Sequence, residues 1–305
     1  MNRAKISVVT PMYNSAGFIH KTLKHVFSST YDNYEVILVD DGSTDHTVRV
    51  LETNGWMDRV RYIYKENRGI SAARNTGILA ATGHYISLLD HDDLPCPDKL
   101  TRLVAYLDNN PQYKMVYTPV FMEGEHVGDR ERKKRDWILR YEGDLFETLF
   151  YRNHISPSST LIERESILAA GLFDEGFMIT EEAEFFLRYS TYFQIGYIDE
   201  PLTTYSWRYD NTSVRWKDHI PDYQMKIYEK YCDELKKRSP RASEIYRRSL
   251  GSVYRSKAAI EIQNGNLACA LGFFISAIQT EPMRMKSYSK LLRGLFSGIR
   301  RHMFR

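Results

Sequence analysis

The sequence predicts an α/β fold in which a mostly parallel central sheet is flanked by helices and followed by a helical C-terminal extension. Over the first 120 residues, short β-rich runs alternate with amphipathic helical runs, the pattern of βαβ units. From Tyr223 onward the pattern is helical throughout. The third observation is the placing of the polar clusters. Thr10–Asn14, Asp40–Asp45, Glu66–Asn75 and Asp90–Asp93 each follow an expected strand, at the end where open α/β sheets bind ligands.

Taken in order, strands are expected over Ile6–Thr10, Glu35–Val39, Val60–Tyr64, Tyr85–Leu89 and Met115–Thr118, where β-branched and aromatic residues gather. Helices are expected over Ala16–Ser28, Asp45–Thr53, Ile70–Ala80 and Pro97–Asn109, with Asp45 and Ser71 near helix starts. Gly124 to Asp136 carries Arg130, Arg132, Lys133, Lys134 and Arg135 and reads as an exposed loop, either a solvated face or a lid over a phosphorylated ligand. Pro240, Gly265 and Pro282 break the helical extension, and the last helices lie near Asn266–Thr280 and Met285–Met303.

The chain has 305 residues, 43% hydrophobic content and a net charge of +3, values of a globular protein with a real core. That charge is uneven: Arg284 to the end holds seven Lys or Arg and no acid, leaving 35 basic against 39 acidic residues before it. Cys96, Cys232 and Cys269 lack CxxC spacing, so neither a zinc site nor a disulfide framework is indicated and a reducing compartment fits. Pro11 cuts short the first apolar stretch, and no stretch reaches the roughly 18 to 20 apolar residues that span a bilayer. A cytoplasmic protein is expected.

Asp90-His91-Asp92-Asp93 is the chemically loaded cluster. Carboxylates this close raise one another's pKa, which costs stability unless a cation or a set of donors neutralises them. Oxygen ligands at i and i+2 suit Mg2+ or Mn2+, ions that take remaining ligands from water and substrate phosphates. The competing reading is a helix N-cap at Asp93-Leu94-Pro95. Thr10-Pro11-Met12-Tyr13-Asn14 offers an aromatic and polar side chains to a flat base. Asp40 and Asp41 offer carboxylates to a base N–H or ribose hydroxyl, and Arg74 offers a guanidinium to a diphosphate. Each has a plain alternative: a turn at Gly42, a cap at Asp45, an ion pair at Arg74.

The strings ISVVTPMYN, VILVDDGSTD, ENRGISAARNTGI and YISLLDHDD, in this order, resemble the family 2 glycosyltransferases, which share the GT-A fold. The resemblance implies a GT-A, Rossmann-like domain over 1–222, with a nucleotide-sugar-binding half over 1–118 and an acceptor half over 119–222, and a helical region over 223–305. It implies an inverting, metal-dependent transferase of hexosyl or hexosaminyl type that uses a nucleoside-diphosphate sugar, UDP-linked in the first instance. Mn2+ or Mg2+ would sit at a D-x-D motif formed by Asp90 and Asp92. By position, Pro11, Tyr13 and Asp41 would surround the nucleobase, with Asp40 close by, Thr10 and Asp90 also contacting the donor, and Arg74 near the diphosphate or sugar. Gly171-Leu172-Phe173-Asp174-Glu175 precedes Glu181-Glu182-Ala183-Glu184-Phe185-Phe186-Leu187-Arg188, where the family places its general base; Glu182 stands where Asp is usual, and Glu181 is the alternative base. Tyr205-Ser206-Trp207-Arg208 resembles the family's aromatic-arginine segment, which would close Arg208 over the diphosphate.

The expected acceptor is a saccharide or lipid-linked saccharide, as in surface polysaccharide assembly, with a protein acceptor or a non-catalytic scaffold as the rival readings. A dehydrogenase would need GxGxxG after the first strand, where Pro11-Met12-Tyr13-Asn14 stands. No nucleic-acid partner is expected. In the last helix Met285, Tyr288, Leu292, Leu295, Phe296, Ile299 and Met303 share one face with basic residues opposite, so 283–305 either docks on its own domain or a partner subunit, giving a homodimer, or lies on the inner face of the cell membrane.

Overall fold

Ile6–Met12 forms the first strand, β1, and all seven of its residues are buried, as a run with no polar face requires. The computed structural model describes residues 4–124, 133–134, 142–208 and 212–282. In chain order the elements are β1, α1 (Ile19–Val26), β2 (Tyr34–Asp40), α2 (Thr47–Thr53), β3 (Arg61–Tyr64), α3 (Ile70–Ala80), β4 (Tyr85–Leu88), β5 (Leu94–Pro95), α4 (Lys99–Asn109), β6 (Met115–Tyr117), β7 (Phe121–Gly124) and β8 (Lys133–Lys134). There follow α5 (Phe146–Tyr151), β9 (Thr160–Glu163), α6 (Arg164–Ala170), α7 (Glu181–Tyr189), β10 (Ile195–Tyr197), β11 (Thr203–Trp207), α8 (Thr212–Arg215), α9 (Ile220–Arg238), α10 (Ala242–Gln263) and α11 (Leu267–Thr280).

A seven-stranded sheet runs in the order β10-β6-β9-β4-β1-β2-β3. All its pairings are parallel except those of β9, which enters antiparallel between β4 and β6. A second, four-stranded sheet has the order β5-β11-β7-β8. The mostly parallel sheet expected from the sequence is present, while β9 and the second sheet were not foreseen. β1 runs past Pro11, where the sequence implied a break. Beyond Val9 it has no partner in β4 and pairs with β2 alone, the edge-like setting that tolerates a proline.

α3 lies very close to the sheet. A Cβ at Gly77 would stand 2.3 Å from the Val9 side chain, so only hydrogen fits there. With Ala72 and Ala73 also buried, the helix carries Arg74 and Asn75 down into the protein. The opposite face is a core that includes Val8, Leu23, Leu38, Leu103 and Val116. Glu35 ties the far edge together: its Oε1 accepts from Ser7 Oγ at 2.6 Å, Thr82 N at 2.9 Å and Thr82 Oγ1 at 2.7 Å.

The chain divides into an α/β unit, Met1–Leu145 with Asn153–Asn211, and a helical unit, Phe146–Arg152 with Thr212–Arg305. The expected boundary after residue 222 thus moves to 211, and α5 joins the helical unit although it lies far upstream. The physical reason is aromatic: Phe150 stacks on Tyr228 with centroids 5.1 Å apart, and Arg238 lies over Phe146 at 5.3 Å. The basic stretch Gly124–Asp136 and the final helix Met285–Met303 fall outside the described residues, apart from Gly124 in β7 and the short strand β8. Among the described residues no helix is long and apolar enough to cross a membrane.

Partial burial raises the Glu35 pKa, but hydrogen bonds from Ser7 and Thr82 outweigh it and hold the carboxyl down to about 2. A depressed carboxyl stabilises the fold above its unfolded value, near 4.5, and loses that contribution as pH falls through about 2. Glu35→Gln should therefore lower the urea midpoint at pH 7. The gap to the parent protein should narrow as pH drops from about 4.5 towards 2; a gap independent of pH would remove Glu35 from this role.

Candidate active site

The strand ends place the polar clusters together at one end of the α/β unit. After β1, Asn14 adopts φ 49°, and its Oδ1 accepts from Thr44 N at 2.8 Å and Asp45 N at 3.3 Å. Its own N donates to Ser43 Oγ at 2.9 Å, which zips the first two loops together. Tyr13, 46% exposed, is left at the surface, whereas Thr10 and Pro11 are buried. Gly42 turns with φ 80° against Asn67, whose N would be 2.9 Å from an added Cβ.

Asp40 is fully buried and already engaged: Oδ1 accepts from Ser43 N at 2.8 Å and Oδ2 from Tyr62 Oη at 2.7 Å. It builds the loop and offers no surface to a base. Asp41 pairs with Lys65 and accepts from Arg68 N at 3.1 Å and Gly69 N at 2.7 Å. That carboxylate fixes the loop leading into α3.

Arg74 corrects a sequence expectation. It is 2% exposed, and its guanidinium bridges two carboxylates, Nη1 to Glu181 Oε1 at 2.6 Å and Nη2 to Asp90 Oδ1 at 2.9 Å. Instead of facing a diphosphate, it holds the end of β4 to the start of α7. Burial disfavours its charge, but Asp90 and Glu181 outweigh this and raise its pKa above the ordinary arginine value. The ring of Phe173, 5.2 Å from the guanidinium carbon, backs it and stacks on Phe185.

The second acid of the quartet has an arginine of its own. Arg208 Nη1 donates to Asp92 Oδ2 at 2.7 Å, and its guanidinium lies 3.9 Å over the Phe18 ring. Ser206 seats this segment, its Oγ donating to Asp92 O at 2.6 Å and its N to Asp93 Oδ1 at 3.0 Å. Asp93 is therefore no helix cap: β5 follows it, and α4 begins only at Lys99. Burial, then Asp90 and Asp92, push the Asp93 carboxyl well above its usual range. Lys99, 1% exposed, donates to Ser158 O at 2.6 Å; burial lowers its pKa to about 8 against the opposing pull of Asp93.

The acids at α7 separate into roles. Glu181 is pinned by Arg74, while Glu182 stays half-buried beside it. Desolvation, then Glu181, raises the Glu182 carboxyl to about 8, against the pull of Arg74. Thr180, just before them, sits at φ 58°, a left-handed conformation that a β-branched residue holds only when its surroundings impose it. Arg188 anchors the other end of the helix, donating to Gly171 O and Leu172 O, each at 2.7 Å, and to both carboxylate oxygens of the buried Glu184 at 3.1 Å.

Ser158, Phe18 and Lys99 lie beside these residues and were not singled out from sequence. Ser158 Oγ accepts from Asp90 N at 3.0 Å, a role with no local signature. Lys99 reads as an ordinary residue of a first helical turn. Among the described residues no three His, Cys, Asp or Glu side chains form a self-contained cation site. Asp90 and Asp92 fit the narrower requirement of two carboxylates that share a cation with a substrate's phosphates, each with one oxygen already paired to an arginine.

A family model described as glycosyl transferase family 2 matches residues 7–169. A protein of Sinorhizobium fredii is 37% identical over 216 residues, 68% of this chain and 23% of its own length. A glycosyltransferase of Rickettsia conorii is 28% identical over 210 residues, 67% of this chain and 33% of its own. The matched part thus spans a third or less of these two relatives. Among solved structures, Staphylococcus aureus TarS 1–349 in complex with UDP-GlcNAc has a TM-score of 0.57 at 17% identity, covering 94% of this chain and 92% of that one. A Pyrobaculum calidifontis mannosyltransferase in complex with GDP-Man and Mn2+ has a TM-score of 0.60 at 17% identity, covering 99% and 88%. The fold is of GT-A type.

Arg188→Met should cost about 3–5 kcal/mol in urea denaturation, because it removes the arginine's bonds to the buried Glu184 carboxylate and to the Gly171 and Leu172 carbonyls. Adding Glu184→Leu should recover much of that loss. A single variant as stable as the parent would show that the clamp does not hold α7.

Proposed function

The chain belongs to glycosyl transferase family 2, and from that premise we propose that it transfers a hexosyl or hexosaminyl group, with inversion, from a nucleoside-diphosphate sugar to an acceptor hydroxyl. The donor is UDP-linked in the first instance, and the acceptor is a saccharide or lipid-linked saccharide in surface polysaccharide or glycan assembly. The observation that carries this is the bridge Asp90–Arg74–Glu181, which brings the acidic strand end beside Glu182.

Transfer builds negative charge on the departing diphosphate and positive charge on the sugar ring. A divalent cation, Mn2+ or Mg2+, held by Asp90 and Asp92 supplies charge to the leaving group when bound. Asp92 would serve as its second ligand, and Arg208, paired with Asp92 in this structure, would close over the diphosphate. Tyr13, exposed at the end of β1, packs against the nucleobase, and the loops fixed by Asp40 and Asp41 shape its pocket. Thr10 and Pro11 support that pocket from below. Glu182 takes the proton of the acceptor hydroxyl; a carboxyl raised to about 8 suits a base working near neutral pH. Glu181 keeps Arg74 in place and leaves the proton to its neighbour.

Thermal shift against a panel of sugar nucleotides, with and without Mn2+, tests the donor. One nucleotide should raise Tm, by an amount corresponding to about 2.7 kcal/mol at a hundred times its Kd. Asp92→Ala should lose the Mn2+-dependent part and the transfer activity. No shift with any sugar nucleotide would sink the proposal.

Glu182→Gln should keep the donor-induced shift but slow turnover about 10²- to 10⁴-fold. Because the carboxyl must ionise to act, kcat should rise with pH towards about 8 in the parent, and this limb should vanish in Glu182→Gln. A limb that persists in the variant would move the base elsewhere.

A further inference from the structure

Lys99, in the first turn of α4, is 1% exposed, a degree of burial that a lysine seldom has without a carboxylate bonded to it. Burial outweighs the help that nearby Asp93 gives its charge. Its ammonium donates to neutral oxygens, Ser158 O at 2.6 Å and Ser87 Oγ at 3.3 Å. Packing alone would be served as well by a methionine of similar length, with no cation to desolvate. The bonds of Lys99, more than its bulk, account for its place in the fold.

Those bonds lead to Asp90. Ser158 lies in a short 3₁₀ turn, Pro157–Ser159, ahead of the β9 ladder. Its carbonyl is taken by two side chains, Lys99 Nζ from α4 and, at 3.0 Å, Thr203 Oγ1 from β11. Its hydroxyl accepts from Asp90 N at 3.0 Å. β4 ends at Leu88, and Leu89 N still donates to Val9 O at 3.0 Å, so the Asp90 amide is the first beyond the strand to be held by a side chain. The Asp90 carboxylate has a separate support in Arg74. We infer that Lys99 is a positioning residue for the cation site: acting through Ser158, it fixes the backbone of Asp90 so that the carboxylates of Asp90 and Asp92 can share a divalent cation. This role rests on the reading of those two acids as the cation's ligands.

Thermal-shift titration of the full chain with Mn2+, in the presence of UDP and, in a parallel series, of GDP, tests this. Removing a residue that holds a metal ligand in place from outside typically changes metal affinity 10- to 100-fold. Lys99→Met should therefore raise the Mn2+ concentration at half-maximal shift by about 10- to 100-fold, while the shift given by nucleotide without Mn2+ stays. Ser158→Ala removes the acceptor of Asp90 N and should act in the same direction. Because both residues act through one bond, Lys99→Met combined with Ser158→Ala should be no weaker than Ser158→Ala alone. Thr203→Val takes away the other donor to the Ser158 carbonyl and keeps the branched shape of the side chain. It should raise the half-point too, and it carries the test should Lys99→Met fail to fold.

An unmoved half-point in Lys99→Met, or in Thr203→Val where Lys99→Met does not fold, would overturn the inference and leave the lysine a part of the core. Additive effects of Lys99→Met and Ser158→Ala would overturn it as well, since Lys99 would then reach the cation by another route. A parent whose nucleotide shift is indifferent to Mn2+ would remove the cation site and this role with it. A parent that shows no shift with either nucleotide or with any sugar nucleotide counts against the transferase reading itself.

Discussion

The buried guanidinium of Arg74 is the constraint on which the site depends. A charge removed from water is tolerated only with well-placed partners, and Arg74 has two, Asp90 at 2.9 Å and Glu181 at 2.6 Å. Those partners lie far apart in the sequence, one just after β4 and the other at the start of α7, and moving either takes away one of the two carboxylates that compensate the cation. The close approach of α3 at Gly77, the Phe173 ring and the Arg188 clamp all serve the same end: they hold the helix, the backing ring and α7 around one fixed charge. Glu182 gains its environment as a by-product, because its neighbour is locked in place.

Asp90 and Asp92 each have an arginine in this structure, but the two arginines differ in kind. Arg74 is enclosed, so its pairing belongs to the fold. Arg208 has a side chain 21% exposed and rests on the face of Phe18, a setting from which a guanidinium can move without unburying a charge. Of the two arginines, the partner of Asp92 is thus the more accessible.

Much of this was legible in the sequence, where a short-range pattern decides the structure. The bounds of α3 match the expected Ile70–Ala80, and β1, β2, β3, β4 and β6 lie where β-branched and aromatic residues gather. The loops after them carry the expected polar residues. What the sequence concealed is long-range. Arg208 meets Asp92 across 116 positions, and Glu181 meets Arg74 across 107. No periodicity marks such a meeting, so the sequence leaves Arg74 open between a diphosphate contact and an ion pair, and names no partner for the latter. Asp40 misled for a related reason, since a carboxylate that builds a loop and one that binds a ligand look identical in a string of letters. Nor does Ser158 carry any sign that a strand-end amide will donate to it.

β9 has a consequence for how this architecture can diversify. It pairs with β6 on one side and β4 on the other, so the chain leaves the sheet after Tyr117 and returns at Thr160 to the neighbouring position. Both ends of that excursion are fixed by the same ladder. Lengthening a flexible connection whose ends are already held costs little, about 0.6 kcal/mol for each doubling. The excursion can therefore be extended between its fixed points, provided that β7, which pairs with β11, and Ser158, which accepts from Asp90 N, keep their places. Evolution, or an engineer, can graft new segments between those points while the strand end that carries Asp90 is inherited unchanged.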